Sequence, residues 1–214
     1  MTEAEIEALR RGADAPVTAG PADLDAVADD LNAAFRTDPQ FCWFLRDDNR
    51  REAARLRFMT MLLREIALPT GEVTRPAAGG AVAIWIPSQA LGPNSLMQEL
   101  RVLPTILGAT GLARIGRLSA MRKVMDDLHP MARPHAYLWF LGVRPEAQGL
   151  GVGSRMLKAG LAKFDAQGLP AYLESSNEAN LPLYRRYGFE VMTEFRARPD
   201  APPAWAMWRE PQAV

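Results

Sequence analysis

Cysteine and histidine are both scarce in this sequence. Among its 214 residues there is one cysteine, Cys42, and there are two histidines, His129 and His135. A single cysteine excludes an intrachain disulfide and a cysteine-rich zinc site. Two histidines argue against a metal centre built from several imidazoles. We therefore expect no bound metal ion.

Excess charge and long apolar segments are also missing. The 25 basic and 25 acidic side chains cancel, whereas a dedicated nucleic-acid-binding protein is usually basic. Residues 1–11 begin acidic and contain no apolar segment, unlike a secretory signal. The longest apolar runs, at 81–86 and 136–143, are too short to span a bilayer. We expect a cytoplasmic protein without nucleic-acid or membrane partners.

The sequence does contain clear helix and strand patterns. Apolar residues three and four positions apart predict helices, and short apolar runs between turn residues predict strands. The predicted helices cover residues 23–39, 50–67, 110–128, 151–167 and 179–187. The predicted strands cover residues 15–19, 72–76, 81–87, 136–143, 171–176, 189–195 and 205–208. Together they predict one α/β domain over residues 1–214, with a mixed sheet.

Residues 88–133 form a predicted helical insertion. Ser95 is a candidate helix cap, and Pro104 is expected to kink or end the helix that follows it. The second helix of the insertion carries an apolar stripe that we interpret as core packing.

A glycine-rich loop follows the strand at 136–143 and opens the next helix. Its sequence at 148–153 is QGLGVG. Glycine lets the backbone come close to a ligand, and the first N–H groups of a helix lack internal partners and carry partial positive charge. The loop therefore predicts a phosphate or pyrophosphate site, although taken alone a simple strand-to-helix turn explains it equally well.

Two familiar phosphate loops fit this segment poorly. A Walker loop ends in Gly-Lys-Ser/Thr, and the lysine is absent from Gly153-Ser154-Arg155. A dinucleotide loop needs a third glycine where this sequence has Ser154, and it needs two crossover halves. A nucleotide-binding, dehydrogenase-like domain is thus the least favoured alternative.

The loop and the residues after it resemble a known family. The pattern Gln-x-x-Gly-x-Gly, after a strand ending in LGV at 141–143, resembles the acyl-CoA loop of the GNAT superfamily of N-acyltransferases. The segments YLESSN at 172–177 and NLPLYRRYGF at 180–189 are most similar to its puromycin N-acetyltransferase-like branch. The clear resemblance covers residues 135–198. It implies a mixed, mostly antiparallel sheet with one parallel crossover and helices on both faces.

This resemblance implies acetyl-CoA as the cosubstrate and gives each part of it a place. The pyrophosphate is expected on the backbone of Gln148, Gly149, Leu150, Gly151, Val152, Gly153 and Ser154. The pantetheine arm is expected to pair with Leu141, Gly142 and Val143 and to hydrogen-bond Asn180. A free N–H near Gly142 or Val143 would polarise the thioester carbonyl.

Tyr184 occupies the family's position for the general acid. A thiol has a pKa of about 8.5 and a tyrosine about 10, so a phenol can protonate a departing thiolate at modest cost. The alternative is that Tyr184 is a core aromatic of a short helix. Tyr187, three residues further on, is expected to pack rather than to act chemically.

Glu174 is the candidate general base, acting directly or through a water on the attacking amine. Its alternative role is a structural ion pair with Arg185 or Arg186. His135 lies at the start of the strand at 136–143, and a lone histidine in such a position is more often structural than catalytic. Three tryptophans are candidates for an acceptor pocket or for core packing: Trp43, Trp85 and Trp139.

The predicted function is acetyl transfer from acetyl-CoA to a small-molecule amine by direct attack in a ternary complex. Cys42 lies far from the motif in sequence, which argues against a cysteine acyl-enzyme. A non-catalytic CoA-binding sensor or interaction module is the alternative. Because members of the superfamily often form dimers, a homodimer is among the expectations.

Overall fold

The computed structural model describes residues 1–92 and 95–213, and its centre is a seven-stranded sheet. The strands are β1 (Val17–Thr18), β2 (Glu72–Arg75), β3 (Ala81–Pro87), β4 (Ala136–Val143), β5 (Ala171–Ser175), β6 (Glu190–Phe195) and β7 (Ala204–Arg209). Their order is β1-β2-β3-β4-β5-β7-β6. Only the β4–β5 pair is parallel. The predicted α/β fold, with its mixed and mostly antiparallel sheet, is confirmed.

Helices cover both faces of this sheet. They are α1 (Glu3–Asp14), α2 (Leu24–Ala34), α3 (Pro39–Phe44), α4 (Arg51–Leu62), α5 (Leu68–Thr70), α6 (Leu96–Leu128), α7 (Val152–Asp165) and α8 (Leu181–Arg186). Helices α1, α7 and α8 share one apolar core, and α2, α3, α4 and α6 share the other. Within the described residues, none of these helices combines the length and the apolarity needed to cross a bilayer.

Helix α1 has no counterpart among the predicted helices. Thr2 and Glu5 form a capping box at its start, which satisfies backbone donors that a helix otherwise leaves free. Leu9 and Ala13 are buried against the α7 side of the sheet. The many charged residues of this segment hide its narrow apolar stripe, so its packing partner becomes evident only in three dimensions.

The insertion differs from its prediction in where the helix breaks. Ser95 caps α6 as predicted, with its hydroxyl accepting from the Gln98 N–H, but Pro104 lies inside the helix and does not end it. The break is at Gly111, whose φ of 65° and ψ of 168° fall in a region that favours glycine. Arg46 satisfies carbonyls freed there, since its backbone N–H donates to Ala109 O at 2.9 Å and its Nη1 to Gly108 O at 3.1 Å.

Strands β4 and β5 separate soon after they begin. They pair only at Ala136 with Ala171 and at Tyr137 with Tyr172, whereas β4 pairs with β3 along its whole length. Trp139 is an extra residue in β4, because Ile84 pairs with Phe140 and Trp85 with Leu138. A bulge of this kind bends a strand. The carboxyl half of β4 therefore leaves β5 and exposes one backbone edge to a wedge-shaped opening.

Candidate active site

The loop between β4 and α7 presents a run of free backbone N–H groups. Gly149 and Gly151 have φ values of 74° and 79°, which glycine adopts readily and other residues rarely do. Within the described residues, no protein group accepts from the N–H groups of residues 149–151. The N–H groups of residues 152–154 belong to the first turn of α7, where a helix supplies no acceptor. The arrangement suits a diphosphate.

Side chains around this loop hold it in shape. Gln148 Nε2 donates to Val143 O at 3.0 Å, and Arg10 Nε of α1 donates to Leu150 O at 3.0 Å. Arg155 is paired with Asp14. A Cβ on Gly153 would lie 3.1 Å from Val143 Cγ2, so glycine there allows α7 to approach β4 closely.

The exposed edge of β4 supplies a donor at the opening. The Arg144 N–H donates to Gly80 O at 2.9 Å, on the β3 side. Because successive peptide groups of a strand point to opposite edges, the Val143 N–H points away from β3 and into the opening. Of the two donors considered from the sequence, the geometry thus favours Val143, whereas Gly142 faces Val82 of β3.

Tyr184 lies on α8, close to the carboxyl end of β5. It is 8% exposed and packs edge-on against Phe189, with 6.0 Å between ring centroids. Burial raises the pKa of Tyr184, and the nearby Asp38 carboxylate raises it further. The phenol is therefore neutral near pH 7, as a proton donor must be. Asn180, at the start of the same helix, is exposed.

Asp38 is a feature of the site that the sequence interpretation missed. Its carboxylate accepts from the N–H groups of Gln40 and Phe41, both at 3.0 Å, and from the Ser176 hydroxyl. Burial raises the pKa of Asp38 despite these bonds. An aspartate directly before Pro39 is a typical cap of a short helix, which is the signal that predicts its position.

Glu174 lies on the other side of the sheet from Tyr184 and does not contact it. Its side chain is 5% exposed, and His129 Nδ1 lies 3.9 Å from its Oε1. Burial raises the pKa of Glu174 to about 7, and the nearby hydroxyls of Tyr137 and Tyr172 offset part of that rise. A carboxylate with such a pKa is a competent base near neutral pH.

Several alternatives from the sequence are decided by the structure. Within the described part of the chain, neither Arg185 nor Arg186 comes within ion-pair distance of Glu174, so that alternative is wrong. Trp85 packs on Phe164 on the α7 side, whereas Trp43 and Trp139 lie on the opposite side. The three tryptophans therefore do not line one pocket.

The two remaining aromatic candidates have structural partners. His135 is fully buried, and its backbone N–H donates to Ser88 Oγ at 3.0 Å. The Tyr187 hydroxyl forms a 2.7 Å hydrogen bond with Ser154 Oγ in the first turn of α7. Tyr187 therefore packs against the loop as predicted, and its hydroxyl is hydrogen-bonded to that of Ser154.

Sequence comparisons relate the chain to acetyltransferases. The acetyltransferase (GNAT) family model matches residues 93–189. The chain is 41% identical over 68 residues to the mycothiol acetyltransferase of Paenarthrobacter aurescens, covering 29% of this chain and 21% of that protein. It is 36% identical over 85 residues to the mycothiol acetyltransferase of Propionibacterium freudenreichii, covering 38% of this chain and 26% of that protein. The chain thus spans only about a fifth to a quarter of the length of these relatives.

Comparison with solved structures extends the likeness to nearly the whole chain. A Corynebacterium glutamicum structure named as histone acetyltransferase HPA2 and related acetyltransferase has a TM-score of 0.67 and 26% identity. The match covers 93% of this chain and 97% of that one. The fold is therefore the GNAT fold, and the family model and the relatives support the resemblance to GNAT acetyltransferases.

Proposed function

We propose that the chain is an N-acetyltransferase that moves the acetyl group of acetyl-CoA directly to a small-molecule amine in a ternary complex. One observation carries this proposal: free N–H groups at the start of α7 adjoin the opening where β4 leaves β5. The free N–H groups suit the diphosphate of CoA, and the opening beside β4 suits its extended pantetheine arm.

Each part of the cosubstrate has a matching surface. The pyrophosphate is bound by the backbone of residues 148–154. The pantetheine arm adds to the exposed β4 edge at Leu141, Gly142 and Val143, with Asn180 as a side-chain donor. The Val143 N–H then lies beside the thioester carbonyl and stabilises the oxyanion of the tetrahedral intermediate.

Tyr184 and Glu174 divide the proton transfers between them. Glu174 removes a proton from the attacking amine, directly or through a water. Tyr184 protonates the sulfur as the carbon–sulfur bond breaks. A thiolate that leaves in a buried site is a stronger base than in water, which compensates for the raised pKa of the phenol. The two groups approach the thioester from different sides of the sheet, so neither blocks the other.

A small acceptor fits the position of the base. Glu174 is 5% exposed, so an acceptor must place its nitrogen beside a buried carboxylate. The mycothiol acetyltransferase relatives support acetyl transfer. The motifs at 172–177 and 180–189 support a place in the puromycin N-acetyltransferase-like branch.

The experiment is an amine panel screened with acetyl-CoA, with release of free CoA detected by a thiol reagent. We expect CoA release that requires both substrates, and a loss of kcat of about tenfold or more in Tyr184→Phe. The matched control is Tyr187→Phe, which loses only the bond to Ser154 and is expected to alter KM for acetyl-CoA more than kcat. Full turnover in Tyr184→Phe would remove that residue from the mechanism. Stabilisation by acetyl-CoA without turnover on any amine would favour the non-catalytic binding module.

A further inference from the structure

The only two histidines of the chain lie in contact beside Glu174. His129 follows the last residue of α6, and His135 directly precedes β4. Their Nε2 atoms are 2.9 Å apart, and His135 Nδ1 lies 2.8 Å from Arg133 O. The His129 side chain is 8% exposed and its ring lies edge-on against those of Tyr137 and Tyr172. Within residues 1–92 and 95–213, no group of three or more potential ligands is arranged to hold a metal ion.

These distances fix where the protons of the two rings must lie. A carbonyl oxygen only accepts hydrogen bonds, so His135 Nδ1 carries a proton that it donates to Arg133 O. Neutral His135 therefore has a bare Nε2, which accepts the proton of His129 Nε2. It follows that Nδ1 of neutral His129 is bare. This nitrogen is the atom that faces Glu174 Oε1 at 3.9 Å.

Charge and burial around the pair keep both rings neutral. Burial lowers the pKa of His129 to about 4, with His135 lowering it further, and burial also lowers the pKa of His135. The groups that face Glu174 are Tyr137 of β4, Tyr172 of β5, Asp126 of α6 and His129, which follows α6. Among the described residues, Glu174 Oε1 has no hydrogen-bond partner, and the bare His129 Nδ1 that faces it can accept a hydrogen bond once the carboxyl is protonated.

We propose that His129 is a positioning residue that acts through Glu174: its bare Nδ1 accepts a hydrogen bond from the Glu174 carboxyl once that group has taken the amine proton, and His135 fixes the tautomer of His129. This role rests on the proposed acetyl transfer. The amine nitrogen–hydrogen bond breaks as an oxygen–hydrogen bond forms on Glu174, and that hydrogen is then shared with His129 Nδ1. The 3.9 Å separation shortens when the acceptor binds, as is usual for catalytic contacts that are long in the free protein.

The step balances within the proposed reaction. The amine nitrogen forms the new bond to the acetyl carbon, and the carbon–sulfur bond breaks. The thiolate takes the proton of Tyr184, and the proton held by Glu174 returns to the phenolate through water. The net change is one proton moved from the amine to the thiol.

The first test concerns the tautomers and is independent of catalysis. With two histidines, the imidazole 15N signals of the wild-type protein are assigned by comparison with His129→Ala. At pH 7 we expect a proton on Nδ1 of His135 and on Nε2 of His129. If His129→Ala does not fold, His129→Gln serves for the assignment. A proton on Nδ1 of His129 would overturn the proposal.

The second test separates proton acceptance from space filling. His129→Ala is expected to lower kcat/KM by about tenfold or more, and added imidazole is expected to restore part of the loss. Pyrrole has the same ring size but no basic nitrogen, so it should restore nothing. Equal rescue by pyrrole, rescue by neither compound, or full activity in His129→Ala would each refute the role of His129 as a hydrogen-bond acceptor for Glu174. Absence of acetyl transfer in the wild-type protein would instead refute the proposed function and leave the tautomer result standing.

Discussion

Burial of Glu174 beside His129 predicts two opposite effects of pH on stability. The pKa of Glu174 is about 7, whereas an ordinary glutamate has a pKa of 4.5. Its contribution to the free energy of unfolding is therefore lost as the pH rises from 4.5 to 7. The pKa of His129 is about 4, whereas an ordinary histidine has a pKa of 6.5. Its contribution to the free energy of unfolding is therefore lost as the pH falls from 6.5 to 4. At about 1.36 kcal/mol per pH unit, each amounts to about 3 kcal/mol. In the wild-type protein the two nearly cancel between pH 4.5 and 6.5.

Replacing either residue should reveal the pH dependence of the unfolding free energy that the other one causes. Glu174→Gln mimics the protonated acid, so relative to wild type it should gain about 3 kcal/mol of unfolding free energy between pH 4.5 and 8. His129→Gln mimics the neutral ring, so relative to wild type it should gain a similar amount when the pH is lowered from 7 to 4. Urea unfolding at five pH values measures both differences. Glu178→Gln, the same substitution on an exposed turn, is the matched control. A constant difference between Glu174→Gln and wild type would refute the reasoning.

Four glycine substitutions, two of them controls, test the loop and the packing of α7. Gly151→Ala places a side chain at a φ of 79°, so it should lower the unfolding free energy by about 1–2 kcal/mol. It should also weaken acetyl-CoA binding, measured by calorimetry. In the control Gly20→Ala the new Cβ meets nothing within 4 Å, and binding should be unchanged. Gly160→Ala puts a Cβ 2.5 Å from Trp85 Nε1 and should lower the unfolding free energy by about 1–3 kcal/mol. Gly108→Ala, in α6 with no heavy atom within 4 Å, should instead raise it by about 0.5–1 kcal/mol. Equal effects of these last two changes in urea unfolding would contradict the packing described for α7.

The sequence predicts what is local and misses what depends on distant contacts. Strand and helix periods predict β3, β4 and α7 closely, because each buries an apolar face whose spacing is visible in the chain. The glycine loop is equally local. The break at Gly111 is not, since it depends on Arg46 reaching the carbonyls at 108 and 109. The same is true of the contact between His129 and Glu174. Residues 45 positions apart have no periodic signal, so Glu174 is predicted as a base while its partner is overlooked.

The insertion places His129 beside Glu174 from an anchor far away. Arg114 Nη1 donates to Leu45 O at 2.7 Å and Arg117 Nη1 to Trp43 O at 2.9 Å, so α6 caps the carbonyl end of α3. From that anchor the helix runs 15 residues to His129, a rise of about 22 Å. Because a helix transmits position along its axis, we expect a shift of this anchor to move the His129 ring that lies 3.9 Å from Glu174. Under the proposed mechanism, a change in α6 therefore alters access to Glu174, and with it the choice of amine, without touching the loop at 148–154.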